Sequence, residues 1–324
     1  MDYLSGWCKS HRRLEGLTAI VTGCNTGIGK ETVRDLYLRG ARVIMACRDI
    51  TRANEAKEDI EQTKSTDKRG ILVVEKLDLS SLKSVRAFAA KMLAFESKIN
   101  ILVNNAGVMC CAEGKTEDGF ETHIGTNHFG HALLTLLLLP RITASAPSRI
   151  VFVSSYLHMS FSGGDLDFDN INFEKTPYDP IKAYARSKAA NVVYARVLAQ
   201  KLKESGITDV TTYSLHPGVI NTEIGRHFSD TVWNGATWAF RNIIYWFAKS
   251  PRCGAQTTIY CAVDDACADQ SGLYYCDCAP STPSKHTQDD GVGEKLWNLT
   301  IDSLKLKNYD PFGKVDPPKD LLVE

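Results

Sequence analysis

The chain has 324 residues, and its 38 Lys and Arg residues balance 38 Asp and Glu residues, so the formal net charge is zero. That balance gives no argument for a nucleic-acid partner. No apolar run is long enough to predict a secretory signal or a transmembrane segment, and the ten cysteines form no Cys-x-x-Cys pair. We therefore expect a cytoplasmic globular protein with free thiols.

The hydrophobic pattern alternates between strands and helices. It predicts strands over 17–22, 41–47, 70–79, 99–105, 148–155 and 210–218, and helices over 30–40, 50–64, 81–96, 118–139 and 181–204. Nearly continuous apolar strands are expected where helices cover both faces of a parallel sheet. No linker rich in Pro, Gly or Ser divides the chain. We expect a single α/β domain with a doubly wound parallel sheet of Rossmann type over 1–280, then a C-terminal helix and a surface tail over 281–324.

The first strand is followed by the glycine-rich sequence VTGCNTGIGK, in which Gly23, Gly27 and Gly29 precede a helix. Glycines allow a tight turn, and a helix N-terminus offers N–H groups and a positive dipole end to a phosphate. The spacing is neither Gly-x-Gly-x-x-Gly nor a Walker loop. A purely structural turn is the alternative, but the position at the first strand–helix junction favours dinucleotide binding.

The end of the second strand, ACRD, bears on the choice of dinucleotide. An acidic residue there holds an NAD ribose, whereas an arginine accommodates the 2′-phosphate of NADP. Cys47 stands where the acidic residue would be expected, and Arg48 follows it. Arg48 could instead be a solvated loop residue, and Asp49 could pair with it. The sequence favours NADP(H), with NAD(H) as the alternative.

A tyrosine and a lysine lie four residues apart in KAYARSKAAN. On a helix, Tyr184 and Lys188 would share one face, about one turn apart. The lysine could stabilise tyrosinate and lower the phenol pKa, which would make the tyrosine an acid or base near neutral pH. The pair also occurs by chance in helices, so the motif alone does not choose between these interpretations.

Several motifs occur in a fixed order along the chain: TGCNTGIG over 22–29, NNAG over 104–107, a serine at the end of the fifth strand, YARSK over 184–188 and HPGVINT over 216–222. In this order the sequence resembles the short-chain dehydrogenase/reductase family, over roughly residues 16 to 280. Stretches such as LDLSSLKSVRAFA and DGFETHIGTNHFGHALLT resemble its retinol dehydrogenase (retinal reductase) subgroup. The resemblance implies an oxidoreductase of EC 1.1.1 type.

The resemblance also implies catalytic roles. Tyr184 would be the acid/base, and Lys188 would lower its pKa and hold the nicotinamide ribose. The serine that polarises the substrate oxygen would be Ser155, because the second serine of such a pair is the usual match, rather than Ser154. Asn127 would support a water-linked proton path.

Cofactor contacts follow from the same resemblance. The pyrophosphate and ribose would meet Gly23, Asn25, Thr26, Gly27, Ile28 and Gly29; the adenosine side would meet Asp78, Leu79, Asn105, Ala106 and Gly107; and the nicotinamide end would meet Pro217, Gly218, Val219 and Thr222.

The serine and tyrosine candidates are 29 residues apart (184 − 155), more than in many family members. The additional segment contains Asp165-x-Asp167-x-Asp169, which imitates the start of a calcium loop. Asn170 stands where that loop needs glycine, and Thr176 where it needs glutamate. We reject calcium and expect a polar surface loop beside the substrate mouth.

Three histidines, His123, His128 and His131, cluster in the predicted 118–139 helix. His128 and His131 could share a metal, but no third ligand is visible in the sequence, and zinc is not needed for this chemistry. We expect helix packing or surface positions and no metal.

An aromatic-rich segment over about 223–250 follows the sixth strand. The resemblance implies a substrate lid here, with Trp233, Trp238 and Phe240 walling an apolar pocket. An amphipathic helix that closes the core is the alternative. With Arg241 and Lys249 nearby, these aromatic residues could also contact a membrane surface. Many relatives in the family are dimers or tetramers, so a homo-oligomer is a further possibility.

The sequence therefore predicts hydride transfer between NADP(H) and a small apolar, retinoid-like alcohol or aldehyde. The alternatives are a carbonyl reductase or alcohol dehydrogenase for prenols, steroids or xenobiotics, and a nucleotide-binding scaffold without turnover.

Overall fold

The computed structural model describes residue 2 and residues 5–159, 166–220, 248–313 and 315–323. The strands in these parts are β1 Thr18–Thr22, β2 Arg42–Cys47, β3 Ile71–Lys76, β4 Ile101–Asn104, β5 Ser148–Val153, β6 Val210–His216, β7 Tyr274–Cys276 and β8 Ala279–Ser281. The α-helices there are α1 Gly27–Leu38, α2 Ile50–Glu61, α3 Leu82–Phe95, α4 Gly130–Ala144, α5 Pro180–Glu204, α6 Pro251–Gly254, α7 Gln256–Val263 and α8 Asp290–Ser303.

The described strands form one sheet in the order β3-β2-β1-β4-β5-β6-β7-β8. All neighbouring pairs are parallel except β7 and β8. The chain runs outward from β1 to β3 on one side and returns to place β4 on the other side of β1. This reversal opens a crevice at the carboxyl ends of β1 and β4, where ligands of open α/β sheets bind. The predicted fold class is confirmed.

Apolar side chains cover both faces of the sheet, which explains the continuous apolar strands. One buried cluster packs α3, α4, α5 and α8 against one face. The other packs α1, α2 and α7 against the opposite face. The strand ends are therefore fixed from both sides, so loops at the crevice start from rigid positions.

The predicted 118–139 helix differs from the structure at its beginning. Residues Ile124–Phe129 form a π-helical turn, and the α-helix α4 begins only at Gly130. The Glu121 carboxylate accepts the N–H groups of His123 and Ile124, at 2.9 Å each, and so caps this start. A Cβ on Gly125 would lie 2.5 Å from Thr116. Close packing here replaces the regular first turns that the apolar pattern predicted.

The C-terminal region holds α8, and the tail that follows it is not confined to the surface. Leu321 is buried, and its carbonyl accepts a hydrogen bond of 2.5 Å from Arg86 of α3. Arg86 also donates to the carbonyl of Leu304, directly after α8. A buried guanidinium that satisfies backbone carbonyls thus ties the tail to the domain. In the parts of the chain described, no helix combines the length and apolar character needed to cross a membrane.

Candidate active site

A cavity of about 580 Å³ lies at the carboxyl ends of the strands. Its lining includes these predicted residues: Gly23, Asn25, Thr26, Gly27, Ile28, Gly29, Arg48, Asp78, Leu79, Asn105, Ala106, Gly107, Ser155, Tyr184, Lys188, Pro217, Gly218 and Val219. Thr222, Trp233, Trp238 and Phe240 lie outside the described residues, as does most of the predicted lid. The fold thus brings segments from across the chain to one crevice.

The glycine loop suits a pyrophosphate because two of its glycines have no room for a side chain. Gly23 has a φ of +61°, and a Cβ there would lie 2.7 Å from Ala106. A Cβ on Gly29 would lie 2.7 Å from the carbonyl oxygen of Gly23. Thr26 begins α1 without a side-chain cap, and residues of the first helical turn line the cavity. These features fit a phosphate group held by backbone N–H groups.

Asn105 supports this loop from β4. Its side-chain amide donates to the carbonyls of Thr22 and Gly23, at 2.8 and 3.1 Å. Asp78 follows β3, and its carboxylate accepts the N–H and the hydroxyl of Ser80, at 3.0 and 2.6 Å. Both residues line the cavity, and these local bonds hold their side chains in place.

Three consecutive residues at the end of β2 have different roles. Cys47 is buried, with its sulfur 3.6 Å from that of Cys24 in the glycine loop. Arg48 is exposed and lines the cavity. The Asp49 carboxylate accepts the N–H of Arg52 at 3.0 Å and caps α2. Asp49 therefore has a helix-capping role of its own. Arg52 also lines the cavity, although the sequence did not single it out.

Tyr184 and Lys188 lie one turn apart on α5, as predicted, and both are buried. Asp179 caps this helix and Pro180 occupies its first turn, a combination that favours a helix start. The Lys188 ammonium lies 5.7 Å from the centre of the Tyr184 ring and donates to the carbonyl of Val153 at 2.9 Å. The lysine is thus anchored to the end of β5.

Burial shifts the pKa of each side chain in the direction that favours its neutral form. It raises the pKa of Tyr184 above its usual value, and the nearby Ser155 hydroxyl lowers it only in part. It lowers the pKa of Lys188 to about 8. A lowering of the Tyr184 pKa by Lys188, which the family resemblance implied, stays a prediction.

The two serines after β5 have different partners. Ser154 is buried, and its hydroxyl donates to the carbonyl of Lys188 at 2.7 Å. Ser155 lines the cavity with Tyr184, and its hydroxyl oxygen accepts the N–H of Leu157 at 3.3 Å. Ser154 is thus engaged in helix packing, whereas Ser155 lies at the cavity beside the tyrosine. The 29-residue separation therefore does not move the serine away from the tyrosine.

Asn127 lies in the π-helical turn with its side-chain amide fully engaged. Its oxygen accepts the N–H of Val108 at 2.8 Å, and its nitrogen donates to the carbonyl of Val108 at 3.0 Å and to the Ser187 hydroxyl at 2.9 Å. A Cβ added at Gly107 would lie 3.4 Å from the Asn127 oxygen and 3.3 Å from the Lys188 ammonium. Both side chains therefore border the same short backbone segment.

His131 connects this helix to the glycine loop, a role that the sequence did not predict. The Thr22 hydroxyl oxygen accepts the N–H groups of Asn105 and Ala106, at 3.0 Å each. Nδ1–H of His131 donates to the carbonyl of Asn127 at 2.9 Å, so Nε2 of the neutral ring accepts the Thr22 hydroxyl at 2.9 Å. Burial lowers the pKa of His131 to about 4, which keeps it neutral.

The other two histidines are also buried and have separate partners. His128 bonds the Thr300 hydroxyl at 3.0 Å, and His123 bonds the Glu121 carboxylate at 2.7 Å. The expectation of helix packing is confirmed, and the alternative of surface positions is wrong. The 3.6-residue periodicity of the helix could have placed His128 in the core, but its partner Thr300 lies 172 residues away along the chain.

The described part of the long insert, 166–179, is not purely polar. Leu166, Ile171 and Phe173 are buried, and the Arg186 guanidinium lies 4.3 Å from the centre of the Phe173 ring. The expectation of a polar surface loop is wrong here, because scattered apolar residues pack individually into the core without a periodic pattern.

The model of the family described as short chain dehydrogenase matches residues 17–163. Human retinol dehydrogenase 11 is 44% identical over 93% of this chain and 90% of its own length. Human retinol dehydrogenase 12 is 43% identical over 94% and 92%. Among solved structures, an uncharacterised protein from Mycobacterium paratuberculosis has 31% identity and a TM-score of 0.72, covering 93% of this chain and 98% of that one. The Pseudomonas aeruginosa RhlG/NADP complex has 25% identity and a TM-score of 0.62, covering 81% and 94%.

The crevice and these matches define an oxidoreductase that uses a nicotinamide dinucleotide. The chain belongs to the short-chain dehydrogenase/reductase family, within its retinol dehydrogenase subgroup.

Proposed function

We propose that this protein transfers a hydride between NADP(H) and an apolar alcohol or aldehyde, with retinol and retinal as the first candidates. The observation that carries the proposal is the meeting of Ser155, Tyr184 and Lys188 in the lining of one cavity, beside a glycine loop shaped for a pyrophosphate. The names of the similar human proteins support retinoids as the substrate class.

The dinucleotide would supply the hydride when bound. The glycine loop and the first turn of α1 would hold its pyrophosphate, Asp78 would face the adenine side, and Lys188 would hold the nicotinamide ribose. Arg48 would meet the 2′-phosphate, and its exposure beside the cavity supports that role because a guanidinium pairs well with phosphate. The RhlG structure, with NADP bound, supports the same preference.

Tyr184 would exchange the proton with the substrate oxygen. Its raised pKa keeps the phenol protonated at neutral pH, which suits proton donation to an aldehyde that is being reduced. Ser155 would donate a hydrogen bond to the same oxygen and stabilise the charge that develops there. Oxidation of an alcohol needs the phenolate, so that direction should speed up as the pH rises.

Lys188 and Asn127 would carry the proton onward. With a pKa of about 8, the ammonium of Lys188 is close to its titration point at physiological pH, so it can release and regain a proton readily. Asn127 borders the same Gly107 segment and would support the water-linked path. The lid over 223–250, peripheral membrane contact and a homo-oligomer stay predictions.

The test is a turnover assay with purified protein. NADPH consumption is followed with all-trans-retinal, a prenal, a steroid ketone and a simple aromatic aldehyde, and each is repeated with NADH. We expect the largest kcat/KM with NADPH and retinal. Preference for the prenal or the steroid would favour the alternative substrates, and no consumption with any compound would contradict the enzymatic proposal.

A further inference from the structure

A second group of polar side chains, two of them buried and one half-buried, lies beside the catalytic candidates and has no part in the chemistry proposed above. It consists of Glu121, His123 and Tyr178, which we call the Cys111 clamp. We propose that this clamp is a positioning unit: it holds the backbone of Cys111 so that Met109 forms a fixed wall of the substrate pocket. The inference rests on the proposed function and names residues that determine substrate specificity.

The clamp holds both backbone polar groups of one residue, Cys111. The N–H of Cys111 donates to Nε2 of His123 at 3.2 Å, and the Tyr178 hydroxyl donates to the carbonyl of Cys111 at 3.0 Å. A loop residue whose two backbone groups are both bonded to side chains has little freedom to shift, because each partner is itself packed in place.

Glu121 orients the histidine. Because Nε2 of His123 accepts the Cys111 N–H, its proton lies on Nδ1, which donates to the Glu121 carboxylate at 2.7 Å. That carboxylate also accepts the backbone N–H groups of His123 and Ile124. Glu121 and His123 are 2% and 0% exposed, so their hydrogen bonds are shielded from competing water.

The clamp and Asn127 hold opposite ends of the same short segment. Asn127 bonds both backbone groups of Val108, and the clamp bonds both backbone groups of Cys111. Between them, Met109 lines the cavity, while Cys110 is buried with a φ of +50°, a region that residues other than glycine seldom adopt. Bonds at both ends therefore maintain an unfavourable backbone conformation that places Met109 at the cavity.

The same clamp packs against the acid/base candidate, and it gives part of the insert a structural role. The His123 ring packs edge-on to the Tyr184 ring, with centroids 6.2 Å apart and planes at 73°. Tyr178 belongs to the insert, and so does Asn172, whose side-chain oxygen accepts the N–H of Glu121 at 2.9 Å. The insert thus helps to fix the pocket wall and the position of the catalytic ring.

The test compares Tyr178→Phe with Tyr309→Phe. Each substitution removes one hydroxyl from a half-buried tyrosine that donates to a backbone carbonyl; Tyr309 bonds Leu136 at 3.3 Å, away from the cavity lining. We expect Tyr178→Phe to lower kcat/KM for the best substrate about five-fold, the size of one hydrogen bond, with the NADPH dissociation constant within two-fold of the original. Tyr309→Phe should leave kcat/KM unchanged.

A double-mutant cycle with Met109→Ala tests the route of the effect. If the clamp acts through Met109, the two substitutions together should lower kcat/KM clearly less than the product of their separate effects. Independent effects that multiply would overturn this route, and so would an equal loss of NADPH affinity in Tyr178→Phe.

Hydrogen exchange supplies a readout that does not need turnover. The Cys111 amide should exchange faster in Tyr178→Phe than in Tyr309→Phe at equal overall stability.

If the unsubstituted protein consumes no NADPH, the proposed function fails while the exchange experiment still tests the clamp. If it is active and both variants match in exchange and in kcat/KM, the inference fails alone. If Tyr178→Phe does not fold, Glu121→Gln takes its place in the experiment. We expect that variant also to show faster exchange of the Cys111 amide and a lower kcat/KM.

Discussion

The two sides of the cavity are built differently. The cofactor side is made mainly of backbone: Gly23 and Gly29 bring the chain close, and the first turn of α1 offers its N–H groups. The substrate side is made of loops that side chains hold in place, with the Cys111 clamp joining residues around 111–123 to Tyr178 of the insert.

This difference has consequences for how each side responds to change. A backbone-built site needs particular residues at particular spacings, because few residues fit the required φ values and close contacts. A site built by side-chain contacts can accept many residue pairs, provided that each pair satisfies its hydrogen bonds. The cofactor side should therefore fail abruptly when altered, and the substrate side should change gradually.

The largest effect should come where the two sides meet. Tyr184→Phe keeps the ring but removes the proton donor, so kcat should fall about 10²- to 10⁴-fold, the usual contribution of a general acid. Isothermal titration should show nearly unchanged NADPH affinity, because the backbone-built loop is untouched. Retention of the original kcat would refute the assignment of Tyr184.

Gly23→Ala tests the backbone-built side directly. The new methyl would meet Ala106 at 2.7 Å at a φ of +61°, so urea unfolding should show a loss of about 3 kcal/mol from overpacking and strain together. Gly206→Ala is the control, since its φ is +75° with no atom within 4 Å of the added carbon, and it should lose only about 1 kcal/mol. Equal losses would contradict the close-approach argument.

Lys188 links both sides and gives a pH test. Its folded pKa of about 8 lies below the unfolded value of 10.5, so between these values the unfolded state binds more protons and stability rises with pH. From pH 7.5 to 9.5, the unfolding free energy of the original protein should gain about 2 kcal/mol relative to Lys188→Met. Parallel pH curves for the two proteins would show that the lysine keeps an ordinary pKa.

The smallest effect concerns the exposed side chain on the cofactor side. Arg48→Ala should raise the NADPH dissociation constant about ten-fold, as expected for a charge-assisted hydrogen bond near solvent, and leave that of NADH almost unchanged. Fluorescence titration with both cofactors measures this ratio. Equal changes for both cofactors would remove the 2′-phosphate assignment.

The sequence predicted the central strands and most helices because their apolar patterns are long and regular. It did not predict β7 and β8, which have three residues each, too few for a pattern to form. It also placed a regular helix where Glu121 and Gly125 shape a π-helical turn by packing and capping. In these places the tertiary contacts outweigh the local preference.

Read alone, the order of residues already establishes the doubly wound sheet, the glycine loop and the Tyr184–Lys188 pair, since periodicity and short spacings encode them locally. Only tertiary structure shows that Ser154 packs against α5 through the Lys188 carbonyl, and only tertiary structure joins His131 to Thr22. It also brings Tyr178 to Cys111, 67 residues earlier in the chain. The physical reason is that hydrogen bonds between distant segments depend on where the folded chain places each group, and no local pattern records that placement.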